Sequence, residues 1–389
     1  MSPTWITFLE GVWYAPRMES TARDRRVLAE IEDVAAGIVA RAGERLLDFY
    51  KNGVAVEYKD TRRTDPVTVA DRAVERQVRE ELASAFPDHG FLGEEGTSAA
   101  LSSEYLWVLD PLDGTGNFAG RLPFFASSLA LLRNGVPVVA CLWVPYAPNL
   151  RAGVLRASFG NGARIGHEPL RVAPEPFRGG GPIAIPHSMS WAFELKGDLA
   201  RRQGQARNTG SICYELAMVA GGGFQYAYFG GPKLWDVAAG VLLVREAGGH
   251  ALTLSRGRWT SLDRFVAPAP GKDGKPRTLR HWSRAVLVGS PAAMLHVAPN
   301  LVPRRPPPVP VAWALRRQHA VRRWWAKRGK LDGKPGDQPD AKAAGDIAAE
   351  NPATDGTAPD ADSPGVIAPD AASAPVPEPA EGSTSVPSA

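Results

Sequence analysis

Between Asp24 and Lys51, apolar side chains return every three or four residues, at Ile31, Val34, Ile38, Val39, Leu46 and Leu47. That spacing predicts an amphipathic helix. A second helical stripe follows over 71–86, beginning after Asp71. The run YLWVLDPLDG reads as an apolar strand ending in a turn. Residues 126–132 and 136–144 are apolar runs separated by Asn134-Gly135, a pair suited to a tight hairpin turn. Residues 236–248 read as a helix that stops at Gly248-Gly249. Strands and helices alternate, which predicts a layered, mixed α/β fold.

The pattern changes near Pro303. Residues 304–330 hold nine basic and no acidic side chains, with Trp313, Trp324 and Trp325 among them. Residues 331–389 hold eleven acidic and two basic residues and no aromatic one. The two charges cancel, so the net +4 of the chain belongs to residues 1–303 and gives no argument for a nucleic-acid partner. The acidic, Ala/Pro-rich tail cannot bury enough apolar area to offset about 1–2 kcal/mol of backbone entropy per residue, and reads as disordered. The basic segment reads either as a short helix docking on an anionic membrane surface or on nucleic acid, or as a solvated tail folding back on its acidic neighbour. The expected organisation is an N-terminal extension over 1–20, a compact unit over 21–300, a basic segment over 301–330 and the tail over 331–389. Residues 1–17 read either as a poorly ordered extension or as the product of a start codon placed too early.

Apolar residues at 44% and charged residues at 22% exclude a wholly disordered chain. Two cysteines, Cys141 and Cys213, exclude a disulfide-stapled scaffold and a four-thiolate zinc site, and make the cytoplasm the simplest location. The seven histidines form no HxH or HExxH pair, which argues against a zinc hydrolase.

Acidic residues cluster four times: DPVTVAD at 65–71, GEEG at 93–96, DPLDGTGNF at 110–118 and WD at 235–236. Singly, each reads as a turn, a loop or a helix cap. The third carries more. Its strand delivers Asp110 and Asp113 at one end, where both can turn toward one point across Pro111-Leu112. Gly114 and Thr115 follow, with backbone N–H groups placed to bind phosphate oxygens. Carboxylates beside a phosphate repel it unless hard cations intervene, and Mg²⁺ is the oxygen-preferring ion that bridges to phosphate. Two such ions about 3.5–4 Å apart would clamp the attacking and leaving oxygens of an in-line displacement.

GEE, then DPLDGT and Asn117-Phe118, then WD followed by AAG and EAGG, resembles the inositol monophosphatase family of metal-dependent, lithium-sensitive phosphatases, over most of residues 24–297. The resemblance implies a five-layer α-β-α-β-α sandwich of the inositol monophosphatase/fructose-1,6-bisphosphatase type, two to three Mg²⁺ ions, a small phosphorylated substrate and a homodimer. It implies that Glu94, Asp110 and the Leu112 carbonyl hold one Mg²⁺, and that Asp110, Asp113 and Asp236 hold a second. A third ion would sit near Glu94. Thr115 and Asp71 resemble the pair that orients and deprotonates the attacking water, and Glu95 a supporting carboxylate. Gly114 and Thr115 would bind phosphate; Gly210 and Ser211 match a substrate-side pair. Lys59, Asp65 and Thr68 match the loop that closes over the metals.

Two positions depart from the pattern. Gly116 replaces a second threonine, a tolerable change. Phe229, seven residues before Asp236, stands where animal inositol monophosphatases carry a glutamate that hydrogen-bonds a ring hydroxyl. A hydroxyl left unpaired there would cost about 1–3 kcal/mol. Phe229 and Lys233, with Tyr226 and Tyr228, could instead pack on a base or an imidazole; the other reading makes the aromatics core or dimer-interface residues. The expected activity is hydrolysis of a small polyol or sugar phosphate such as inositol 1-phosphate by direct attack of water. The alternatives are a 3′(2′),5′-bisphosphate nucleotidase, a histidinol-phosphate phosphatase, or a catalytically silent scaffold acting through its tail.

Overall fold

A computed structural model describes residues 20–304, apart from 54–55, 59–65, 147–151, 175–176, 178, 187–188 and 272, together with the backbone at 8–9 and 12–13. The chain divides into two units, 1–306 and 307–389. The second unit, most of the N-terminal extension and most of the basic segment lie outside the described residues.

Two short strands, β1 (Phe8–Leu9) and β2 (Val12–Trp13), precede the long helix α1 (Ala22–Asn52). Thr21 caps α1: its hydroxyl accepts from the Asp24 amide, and Asp24 accepts from the Thr21 amide in return. The buried face of α1 runs Leu28, Glu32, Ala35, Val39, Ala42 and Leu46, whereas Val34 is exposed. The stripe is built largely from small residues, and one of its members is charged. Glu32 is tolerated there because Arg164 lies 2.7 Å away and the Ser158 hydroxyl donates to it at 2.6 Å.

The antiparallel pair β3 (Val56–Tyr58) and β4 (Pro66–Thr68) leads into α2 (Val69–Ala85). This helix starts two residues before the expected 71, because Thr68 is its cap and Asp71 lies inside its first turn. Next come β5 (Gly90–Gly93), β6 (Ser98–Ala99), β7 (Tyr105–Asp113), the five-residue helix α3 (Thr115–Ala119), β8 (Ala126–Arg133) and β9 (Val136–Val144). The β8–β9 turn has φ of 49° at Asn134 and 82° at Gly135, as the dipeptide predicts. Then follow β10 (Gly153–Ser158), β11 (Ala163–Ile165), β12 (Glu168–Pro169), β13 (Pro182–Ala184), α4 (Met189–Ala192), β14 (Phe193–Leu195) and β15 (Gln205–Arg207). The described chain closes with α5 (Ile212–Ala220), β16 (Tyr226–Phe229), α6 (Leu234–Glu246), β17 (His250–Ser255), β18 (Arg258–Ser261), β19 (Val286–Gly289), α7 (Pro291–Val297) and β20 (Leu301–Pro303).

The long strands form one eight-stranded sheet, β12-β11-β10-β9-β8-β7-β5-β6, and shorter ones form another, β1-β2-β18-β17-β19-β16-β13-β15. Helices α1 and α2 pack together on the first sheet. Helices α5 and α6 touch strands of both sheets, and α7 packs on β19 of the second. That gives the α-β-α-β-α order implied by the resemblance. Among the described residues, no helix is long and apolar enough to cross a membrane.

The central layer positions the site, because α5 and α6 both begin where β7 ends. Their close approach depends on Gly240 in α6: a Cβ there would lie 2.6 Å from the Leu216 Cβ of α5. Alanine normally stabilises a helix interior over glycine by about 1 kcal/mol. Gly240→Ala is instead expected to destabilise by about 1–3 kcal/mol through overpacking, read as a lowered midpoint in urea denaturation.

Candidate active site

Strand β7 gains one residue on its neighbour where the two aspartates stand. Asp110 pairs with Ser128 but Asp113 pairs with Ala126, so three steps on β7 match two on β8. Pro111 falls inside this bulge, where a missing ladder N–H is tolerated, and the bulge re-aims the side chains beside it. Asp110 is 1% exposed, and its Oδ1 accepts the Leu112 amide at 3.1 Å. Asp113 Oδ2 accepts two bonds of 2.6 Å, from the Ser211 hydroxyl and the Cys213 amide, both at the start of α5. That end of the helix carries partial positive charge and suits a carboxylate.

Gly114 then turns the chain with φ of 84°. A Cβ there would meet the Phe124 carbonyl at 2.7 Å and the Ser211 side chain at 3.1 Å. The Asn117 side-chain amide donates to the Phe124 and Thr209 carbonyls at 2.6 and 2.8 Å. These contacts bring Gly114 and Thr115 together with Gly210 and Ser211.

Asp71 and Asp236 reach the site by one shared device. Each is the third residue of its helix, and each spends Oδ2 on the amide that caps that helix: Thr68 N–H to Asp71 and Lys233 N–H to Asp236, both at 2.7 Å. The Thr68 hydroxyl adds a second bond to Asp71 Oδ2 at 2.6 Å. Asp71 Oδ1 faces Thr115, whose hydroxyl lies 3.2 Å from it and 3.0 Å from the Leu112 carbonyl.

Glu94 and Glu95 sit on the turn after β5. The Glu94 carboxyl lies within hydrogen-bonding reach of Asp110. Glu75, on α2 and 3% exposed, accepts the amides of Glu95 at 2.9 Å and Thr97 at 3.3 Å. The guanidinium of Arg280 donates to carbonyls of the same turn. The sequence reading missed both groups. Glu75 carried a usable signal, since it lies four residues after Asp71 on one helix face. Arg280 carried none, being far away in the chain.

Other expected site residues lie elsewhere. Phe229 is 5% exposed, pairs with Val286 and packs in the core, so its ring offers a substrate little surface. Tyr226 is buried and donates its hydroxyl to the Gln203 carbonyl, and Tyr228 packs against Phe193 and Trp259. The reading of these aromatics as core residues fits that placement. Lys233 is exposed and contributes its backbone amide. Lys59 and Asp65 lie outside the described residues.

Crowding of acids decides the electrostatics. Burial pushes the Asp110 carboxyl far up, and the nearby Glu94, Asp113 and Asp236 push it further. Burial also raises Asp113, against the lowering effect of Ser211 and Cys213. Burial and then Asp113 raise Asp236 to about 8, against the lowering effect of the Lys233 amide. Burial likewise raises Asp71. Among the described residues no three acidic, His or Cys side chains already surround one ion position. Three of the four acids, Asp110, Asp113 and Asp236, have an oxygen committed to a backbone or hydroxyl donor, and Asp110 is repelled by the other three. The donor set (carboxylates and the Leu112 carbonyl) is all oxygen and fits a hard divalent cation.

Residues 27–286 match the model of the inositol monophosphatase family. A Xylella fastidiosa protein, "Nus factor SuhB", is 38% identical over 194 residues, 48% of this chain and 69% of the relative. The Rhizobium meliloti "Inositol-1-monophosphatase" is 39% identical over 193 residues, 48% of this chain and 71% of the relative. Among solved structures, the extragenic suppressor protein suhB from Bartonella henselae superposes with a TM-score of 0.53 at 27% identity, covering 68% of this chain and 95% of its own.

The carboxylates give stability a defined pH dependence. The native state holds the Asp236 proton up to about 8, against an ordinary 3.8 in the unfolded chain. Within that window the native state binds more protons, so without metal the melting temperature falls as pH rises. Mg²⁺ needs deprotonated carboxylates, so the stabilisation it gives grows over the same window. Thermal melts with and without Mg²⁺ check this; a metal-free melting temperature that rises across the window would contradict it.

Proposed function

The chain belongs to the inositol monophosphatase family, and from that premise we propose that it is a Mg²⁺-dependent phosphomonoesterase acting on a small polyol or sugar phosphate, with inositol 1-phosphate as the first substrate to test. The observation that carries the reading is the convergence of Asp110, Asp113, Glu94 and Asp236 from three separate chain segments beside a hydrogen-bonded Asp71–Thr115 pair. Glu94, Asp110, Asp113, Asp236 and the Leu112 carbonyl would hold two Mg²⁺ ions. Bound there, the ions supply charge neutralisation for the phosphate and lower the pKa of an attacking water.

The chain's own groups do the rest. The Thr115 hydroxyl orients the water and, as the water loses a proton, passes its own to Asp71 Oδ1. Asp71 suits the role of base because Thr68 fixes its other oxygen and burial raises its proton affinity. On this reading the Gly114–Thr115 segment and the neighbouring Gly210–Ser211 turn would bind the phosphate. No residue is phosphorylated, since water attacks phosphorus directly.

A core phenylalanine, Phe229, stands where a glutamate would read a ring hydroxyl, and it can accept no hydrogen bond from an inositol ring. That favours assaying a 3′(2′),5′-bisphosphate nucleoside and histidinol phosphate alongside inositol 1-phosphate. The "Nus factor" name carried by the Xylella relative supports a second reading, a binding role beside or in place of catalysis. The complete acidic set argues for catalysis.

Phosphate release on this substrate panel is expected to require Mg²⁺. Asp113→Asn should abolish it in a folded protein, and Thr115→Ala should lower kcat by about 10²–10⁴-fold. A wild-type chain that releases no phosphate from any panel member contradicts the enzyme reading.

A further inference from the structure

The four acids come from three places in the chain, and something must hold those places in register before a cation arrives. Glu94 rides on the turn Gly93–Thr97, closed by the Gly93 amide donating to the Thr97 carbonyl at 2.8 Å. Asp236 rides on α6, directly after Trp235. The half-buried side chain of Arg280 touches both. One guanidinium nitrogen donates to the Gly93 carbonyl at 2.5 Å and the Thr97 carbonyl at 3.2 Å; another donates to the Glu94 carbonyl at 3.4 Å. The same guanidinium lies over the Trp235 ring, 5.5 Å from its centre. The opposite, amide side of the turn is bound by Glu75. The turn that carries Glu94 is therefore gripped through the Gly93, Glu94 and Thr97 carbonyls by a cation and through the Glu95 and Thr97 amides by an acid, and neither gripping group is among the candidate ligands.

We propose that Arg280 is a positioning residue that sets the affinity of the acidic cluster for divalent cations, by fixing the Glu94 turn against the Trp235–Asp236 wall. The proposal rests on the metal-dependent reading of the site. A planar guanidinium can donate along several directions while stacking on an indole; a lysine ammonium keeps the charge but not the fork or the flat face. Position and charge act with opposite signs. A cation beside the cluster repels an incoming metal, so if charge were its main effect, removing Arg280 would tighten metal binding. If Arg280 acts by position, removing it loosens metal binding.

The test is isothermal titration of the full chain with Mn²⁺, comparing wild type with R280A and R280K and melting each metal-free protein in parallel. R280A is expected to bind Mn²⁺ about 10–100-fold more weakly, the usual effect of losing a group that orients metal ligands. R280K should recover only a minor part of that loss. The Mg²⁺ concentration giving half-maximal phosphate release should rise in parallel, with a smaller change in kcat at saturating Mg²⁺. Unchanged or tighter Mn²⁺ binding in folded R280A overturns the proposal. If R280A does not fold, wild-type affinity in R280K overturns it. A wild-type chain that binds no Mn²⁺ overturns the metal reading and this proposal together, whereas normal wild-type binding with an unaffected R280A overturns this proposal alone.

Discussion

Buried carboxylates that face one another cannot all be charged at neutral pH unless a cation lies among them. Asp110 feels Glu94, Asp113 and Asp236 from a position almost closed to water. In a folded protein such crowding is costly. Without metal, the chain meets that cost by keeping protons on the acids. With metal, the same repulsion becomes the driving force for capture. The surrounding architecture holds these four groups close together despite what they do to one another.

The means are local and repeated. A one-residue bulge turns two aspartates of β7 to one side. The first turn of α5 anchors Asp113 through a hydroxyl and an amide. Asp71 and Asp236 each bond back to the amide that caps their own helix, leaving the second oxygen for chemistry. The start of a helix thus serves three of the acidic residues, and Gly240 lets α5 and α6 lie close enough for their starts to share a site. Glu94 rides on a turn, which Glu75 and Arg280 hold.

Much of this was legible in the sequence because the decisive chemistry is local. The strand, its two aspartates, the glycine turn and Thr115 lie within eleven residues, and Asn134-Gly135 marked the hairpin. The starts of α2 and α6 were less legible. Asp71 and Asp236 read as boundary residues, whereas each lies in a first turn and bonds to the cap before it. Glu32 was missed because its partners, Ser158 and Arg164, come from distant strands. Strands β13, β16 and β19 have three or four residues and are almost wholly buried, so they leave no alternating pattern to read. Arg280 was invisible for the same reason as Glu32: its role lies in contacts across the fold.

Crystals soaked in Mn²⁺ and measured for anomalous scattering address the central claim most directly. The account predicts strong peaks bounded by Glu94, Asp110, Asp113, Asp236 and the Leu112 carbonyl. An ordered acidic cluster with no anomalous peak among those oxygens would contradict it.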